Sequence, residues 1–216
     1  MERMPRLIII LAIIIGLNTS VCGYTAPKVI LLSGFEPFGG YPVNSSWEAI
    51  RKLGGQKIDD FLIKTVLLPV EYHGSAEKLL DEIKQDQPSI IVAFGMAAAD
   101  FVRLESTAKN YIGMEKDNAG IAPVSREISA NGAFEYHGTL PLVKIKELLI
   151  SNQIKVSLSD DAGDYLCNYI YYRLMSQKDE PGVKYCGFVH LPPLDSVYTP
   201  DKLTGIVKLI IEAIIH

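Results

Sequence analysis

From Lys28 onward, the apolar positions fall into two alternating patterns. Val29–Ser33 is a nearly unbroken apolar run closed by Gly34, and Ser89–Phe94 repeats it, closed by Gly95. Runs of this length without alternation are expected of strands covered on both faces. Phe61–Leu68, Ile154–Leu158 and Val183–His190 predict three more strands. Between them the spacing lengthens to that of helices. Ser45 and Glu48 stand at the separation of a capping box, opening a helix through Trp47, Ile50 and Leu53 that stops at Gly54-Gly55. Further helices are predicted over Ser75–Gln85, ahead of a turn at Pro88, over Leu140–Ser151 after Thr139, and over Asp164–Ser176. The last helix starts at Thr199-Pro200, and its Leu203, Ile206, Val207, Ile210, Ile211 and Ile214 form one apolar stripe.

Strands alternating with helices predict an α/β domain whose mainly parallel sheet lies between helical layers. There is no internal repeat, low-complexity tract or interior linker, so residues 24–216 are read as one domain. Asn110–Tyr136 is the least regular stretch, open to reading as a long surface excursion or a small hairpin. A loop of that length is often functional.

Composition adds exclusions. The chain has 216 residues and a formal charge of −4, with no block of Lys and Arg. A nucleic-acid partner would call for a basic stripe, so none is expected. Arg3 and Arg6 precede the apolar run Leu7–Leu17, and small residues follow through Cys22-Gly23. That order describes a secretory signal over residues 1–23, cut after Gly23, and hence an exported protein. The run is short for a bilayer span of about 20 residues, and retention as an anchor is the rival.

Without that leader, Cys167 and Cys186 are the only cysteines. In an oxidising compartment they could pair. There is no C-x-x-C and no H-E-x-x-H, so neither a metal nor another cofactor is expected.

Three segments gather just beyond predicted strands, where open α/β sheets hold their ligands. Ser33-Gly34-Phe35-Glu36-Pro37-Phe38-Gly39-Gly40 lacks the Gly-Lys-Ser/Thr ending of a phosphate loop. Phe35 and Phe38 would line an apolar pocket or pack as ordinary core. In Gly163-Asp164-Tyr165-Leu166-Cys167-Asn168, Cys167 falls in the first turns of a helix, where the dipole and unpaired N–H groups favour a thiolate. Taken alone it reads equally as a small buried apolar residue. His190 ends a strand in Gly187-Phe188-Val189-His190-Leu191-Pro192-Pro193, as a base or as a packed ring. Glu105, on a short alternating strand, could orient an imidazole or be a solvated charge.

Together these motifs resemble the pyroglutamyl-peptidase I (pyrrolidone-carboxylate peptidase) family of cysteine peptidases. The likeness covers most of Lys28–Val197. Its strongest matches are Gly34–Gly40 with Asn44 and Ser46, Ala162-Gly163-x-x-x-Cys167-Asn168, Gly187–Pro192 and Thr139-Leu140-Pro141. The resemblance implies a three-layer α/β/α sandwich. It implies Cys167 as nucleophile, His190 as base and Glu105 as the residue that orients it. Phe35 and Phe38 would hold the lactam ring, with Tyr165 and Leu166 lining the pocket before the nucleophile. The implied substrates are N-terminally pyroglutamylated peptides, no cofactor is implied, and homo-oligomers are compatible with it. If Cys167 sits beside His190, a disulfide to Cys186 is not expected. Cys186 lies about 13 Å from His190 at roughly 3.3 Å per residue, whereas bridged Cα atoms lie within about 7 Å.

The chain also departs from the family. Gly95-Met96-Ala97-Ala98-Ala99 stands where relatives usually carry Gly-Gln-Ala-Gly-Gly, and Ser106 replaces the usual basic residue after the glutamate. The match at Glu105 needs a one-residue gap. Two alternatives follow from these departures: a catalytically impaired homologue that binds pyroglutamyl groups, and a thiol amidase or esterase of different specificity.

Overall fold

β1 (Lys28–Phe35) is buried from Ile30 to its end and pairs in parallel with β3 (Phe61–Leu68) on one side and β4 (Ile90–Met96) on the other. β4 pairs in parallel with β9 (Tyr185–Leu191). The flanks run the other way. β2 (Lys57–Ile58) is antiparallel to β3, β5 (Val102–Glu105) is antiparallel to β9, and β8 (Val156–Ser159) follows β5 in parallel. The sheet order is therefore β2-β3-β1-β4-β9-β5-β8, mainly parallel as expected. This computed structural model describes residues 28–177 and 182–216. The expected leader over residues 1–23 lies outside the described residues. Among the described residues no helix is long and apolar enough to cross a membrane.

Alternate side chains along each strand serve opposite faces. Ile30, Leu32, Val92, Phe94 and Val189 pack with α1 (Ser45–Ile50), α3 (Leu142–Ser151) and α5 (Pro200–Ile215). Leu31, Ala93, Cys186 and Phe188 pack instead with α2 (Tyr72–Asp86) and α4 (Leu166–Met175). Three layers result. Because α1 and α2 cover opposite faces, the winding reverses between β1 and β4, and ligand sites form at such a reversal.

Most predicted elements are present, with shifts that have physical causes. The expected capping box at Ser45 and Glu48 is not formed. Asn44 is the N-cap of α1, its Oδ1 accepting from Ser46 N at 3.1 Å, while Glu48 pairs with Arg51. The helix also ends at Ile50, with turns carrying Leu53 to Gly55. α2 begins at Tyr72 rather than Ser75. Its own N-cap, Glu71, makes no capping bond, and the carboxylate of Asp117 accepts from Tyr72 N at 3.1 Å. α4 begins at Leu166, leaving Tyr165 extended at the N-cap.

The irregular stretch after Asn110 is anchored at both ends by a hairpin pair, β6 (Thr107–Lys109) with β7 (Glu135–His137). In between, the chain folds back onto the sheet's carboxyl end. Asp117 Oδ1 accepts from Ala119 N and Ile121 N, at 3.0 and 2.9 Å. The hydroxyls of Tyr72 and Tyr165 donate to the carbonyls of Glu115 and Lys116. Asn168 grips the same excursion, donating to the carbonyls of Lys109 and Tyr111 and accepting from Lys109 N.

Asp117 is thus a helix cap supplied from another segment, buried and bonded only to backbone N–H groups. Asp117→Ala is expected to lower stability by about 2 kcal/mol, the sum of a lost cap and orphaned buried donors. The urea midpoint should fall with little change in slope.

Candidate active site

Register places the chemistry. On β4 and β9, Gly95 is paired with His190, and on β5, Arg103 lies opposite His190. Alternation turns His190 away from Val189 and Leu191, onto the face covered by α2 and α4. Arg103 and Glu105, two apart on β5, reach the same face. Cys167 arrives from above as the second residue of α4. A Cβ added to Gly95 would stand 2.8 Å from Cys167 Sγ and 2.8 Å from Phe188 Cζ. Gly95 is therefore the space into which the thiol fits.

His190 is 3% exposed and Glu105 0%. His190 Nδ1 lies 2.7 Å from Glu105 Oε1, a charge-assisted bond that leaves Nε2 for the thiol. Burial disfavours the imidazolium. A hydrogen bond and the opposite charge of the Cys167 thiolate overcome that penalty, Glu105 adds to the effect, and the His190 pKa is raised from 6.5 to about 9. Tyr171, on α4, donates to the Glu105 carbonyl at 2.9 Å. Burial pushes the pKa of its phenol up, so it remains a donor.

Cys167 carries a free, partly exposed thiol. No bond joins it to Cys186, whose Sγ packs 3.4 Å from Met175 Sδ. Tyr165 offers no side-chain cap to α4, so the N–H groups of its first turn are not taken by a capping side chain. Thiol, imidazole, buried carboxylate and helix N-terminus form an arrangement able to attack a carbonyl, hold an oxyanion and protonate a leaving amine.

Beside the thiol is a small, mostly apolar cleft at the reversal between β1 and β4. Phe35, Phe38, Tyr165 and Leu166 line it, and so do Val70 and Met96. The ring centroids of Phe38 and Tyr165 are 6.4 Å apart. Asn44 also lines the pocket, but its polar atoms are committed. Nδ2 donates to the Glu36 carbonyl at 2.9 Å, and Oδ1 accepts from both Ser46 N and Ser46 Oγ. Ser46 Oγ in turn accepts from Phe35 N, so the Phe35–Phe38 loop is held by this chain of bonds.

Every candidate residue from the sequence therefore lies at one place. Sequence reasoning missed Arg103, whose guanidinium stands 3.5 Å from both His190 Nδ1 and Glu105 Oε1. The Arg-x-Glu spacing was the available signal, since on a strand it puts both residues on one face.

Comparison with known proteins agrees with this geometry. A family model described as pyroglutamyl peptidase matches residues 28–216. The chain belongs to the pyroglutamyl peptidase family. It is 34% identical to a pyrrolidone-carboxylate peptidase of Halalkalibacterium halodurans over 168 residues, 76% of this chain and 84% of the relative. With the pyrrolidone-carboxylate peptidase of Fusobacterium nucleatum it shares 35% identity, covering 82% of each chain. The crystal structure of pyroglutamyl peptidase I from Bacillus amyloliquefaciens superposes with a TM-score of 0.81 at 31% identity, covering 88% of this chain and 96% of that one. The family fold is the three-layer arrangement described above.

The raised His190 value has a direct test. In Cys167→Ala the thiolate is gone and burial weighs more heavily, so the His190 midpoint should fall below about 9 in an NMR titration. Because the folded value lies above the unfolded 6.5, the associated stabilisation is complete below pH 6.5. In the wild type it should be lost as pH rises through about 9.

Proposed function

We propose that this protein is a cysteine exopeptidase that hydrolyses the amide bond after an N-terminal pyroglutamyl residue. The observation that carries this reading is the pairing of Cys167 with His190 and buried Glu105 at the mouth of a small apolar pocket. The relatives' names supply the substrate class, and the pocket's chemistry supports it.

In this reading the pyroglutamyl ring enters between Phe35, Phe38, Tyr165 and Leu166. The Cys167 thiolate attacks the ring's carboxamide carbonyl, and the first-turn N–H groups of α4 receive the oxyanion. His190, protonated at neutral pH, gives its Nε2 proton to the departing amine, and the C–N bond breaks to leave a thioester. His190, now neutral, takes a proton from water, which attacks the thioester and releases pyroglutamate and the thiolate. Glu105 keeps Nδ1 protonated throughout and so fixes the tautomer.

The pocket also explains a preference for a blocked N-terminus. Apart from the reacting Cys167, none of its lining residues carries an acidic side chain or a charge. A prolyl residue would bring a charged ammonium into apolar walls, whereas a lactam brings a neutral N–H and carbonyl. Met96 in that wall removes a place for a polar side chain, leaving backbone groups to meet the lactam. The same residue favours a second reading, a thiol amidase accepting other neutral ring-like groups.

Three outcomes are expected. Cys167→Ala should lower turnover of a pyroglutamyl amide by ~10³-fold or more, as loss of a triad nucleophile does. The kcat/KM profile should fall with an apparent pKa of about 9, as His190 loses the proton that the leaving amine needs. Matched pyroglutamyl and prolyl amides should differ by more than the ~200-fold that shape alone gives. Equal kcat/KM for the two would move the protein to the broader amidase reading.

A further inference from the structure

Two buried polar atoms beside the thiol–imidazole pair lack hydrogen-bond partners: Arg103 Nε and Glu105 Oε2. Buried polar atoms are rarely left unpaired, so a pair of them in one site calls for an explanation. Here both belong to the same ion pair. Arg103 Nε stands 3.5 Å from Glu105 Oε1, just beyond good hydrogen-bond range. The guanidinium fork faces the carboxylate but does not close on it. Arg103 Nη2 instead lies 3.5 Å from His190 Nδ1, a position whose proton is already given to Glu105 at 2.7 Å. That contact is a like-charge approach whenever the imidazole is protonated.

Charge balance gives the arrangement a purpose. A thiolate on Cys167, an imidazolium on His190 and a carboxylate on Glu105 sum to one negative charge in a nearly dry site. Arg103, whose side chain is 30% exposed against 0% for Glu105, brings the sum to zero at the site's open edge. Among the described residues, no other cation is seen beside His190. α4 contributes Cys167 and Tyr171, β5 contributes Arg103 and Glu105, β9 contributes the uncharged Phe188 ring, with ring centroids 4.9 Å apart, and β4 contributes Gly95, which carries no charge.

We propose that Arg103 is a positioning residue for the reaction, clamping Glu105 through its fork and restraining the imidazolium that Glu105 would otherwise stabilise too strongly. Hydrogen bonds of this kind are often long before substrate binds and tighten in the complex. Closing the fork satisfies Arg103 Nε and Glu105 Oε2 together. It also draws the carboxylate toward arginine, so that His190 releases its proton more readily to the leaving amine. This role rests on the peptidase reading above, but one of its tests does not.

The substrate-independent test is the His190 imidazole titration by NMR in Arg103→Met and Arg103→Lys. Removing a neighbouring cation favours the imidazolium, so Arg103→Met should move the midpoint above the wild-type value. Arg103→Lys keeps the charge and should leave the midpoint at the wild-type position. With a pyroglutamyl amide, Arg103→Met should lower kcat by about 10-fold or more, a part of the ~10²–10⁴ that a positioned acid–base group supplies. KM should change little, since Arg103 does not line the ring pocket. Arg103→Lys should retain the midpoint yet lose part of kcat, because an ammonium cannot grip both carboxylate oxygens. An unmoved midpoint in Arg103→Met overturns the proposal, as does an Arg103→Lys enzyme with both wild-type midpoint and wild-type kcat. If wild-type protein turns over no pyroglutamyl amide, the peptidase reading fails while the titration still decides the role of Arg103.

Discussion

A carboxylate with no solvent exposure, held 2.7 Å from a buried imidazole, is the interaction around which this molecule is arranged. Removing two ionisable groups from water is costly, and their attraction offsets that cost only when geometry and further hydrogen bonds are good. The sheet supplies the geometry. β5 runs against β9, so Glu105 lies diagonally across from His190, within reach of a long side chain. A one-residue slip in that pairing would send either partner to the opposite face, among the aliphatic residues under α3 and α5. The thiol of Cys167 completes the set from above, and Gly95 leaves it room.

The pocket depends on a different kind of order. Its aromatic walls stand at the end of β1, on the loop beyond it and at the N-cap of α4, and these places are tied by bonds between segments far apart in the chain. Asn44 and Ser46 hold the Phe35–Phe38 turn, while Asn118 Nδ2 donates to the Pro37 carbonyl and Asn118 N to that of Val70. Tyr72 and Tyr165, in edge-to-face contact with ring centroids 5.7 Å apart, fasten the excursion after Asn110 over the same end of the sheet. A site held in this way spends little ordering energy when a ligand enters, which is the advantage of preorganisation.

Much of this was readable from residues because burial on both faces leaves a continuous apolar signature. β1 and β4 were legible for that reason, and α5 for its single stripe. Cys167 near a helix start was also legible, since Gly163 and the apolar spacing after it mark the boundary. The places where reading failed share one cause: the deciding partner lies elsewhere in the chain. The cap of α2 comes from Asp117, 45 residues beyond Tyr72, so local rules set the start at Ser75. Asn44 outcompetes Ser45 as a cap because it also bonds the loop before it. Glu105 looked like a solvated charge until β9 covered it, and only the family likeness singled it out. Arg103 passed unnoticed because its meaning depends on register.

The antiparallel step between β9 and β5 also carries a consequence for how the protein is made. Glu105 and His190 are 85 residues apart, and the strand bearing His190 is the last to join the sheet in chain order. Pairings of such separation form late, because loop closure must be paid for before the contact returns anything. During synthesis the helix bearing Cys167 emerges before the imidazole that meets its thiol. Until β9 inserts between β4 and β5, the nascent chain has a cysteine but no proton donor beside it. Completion of the sheet is thereby the step that brings thiol, imidazole and carboxylate together, and a chain that stops short of β9 lacks the imidazole of that cluster.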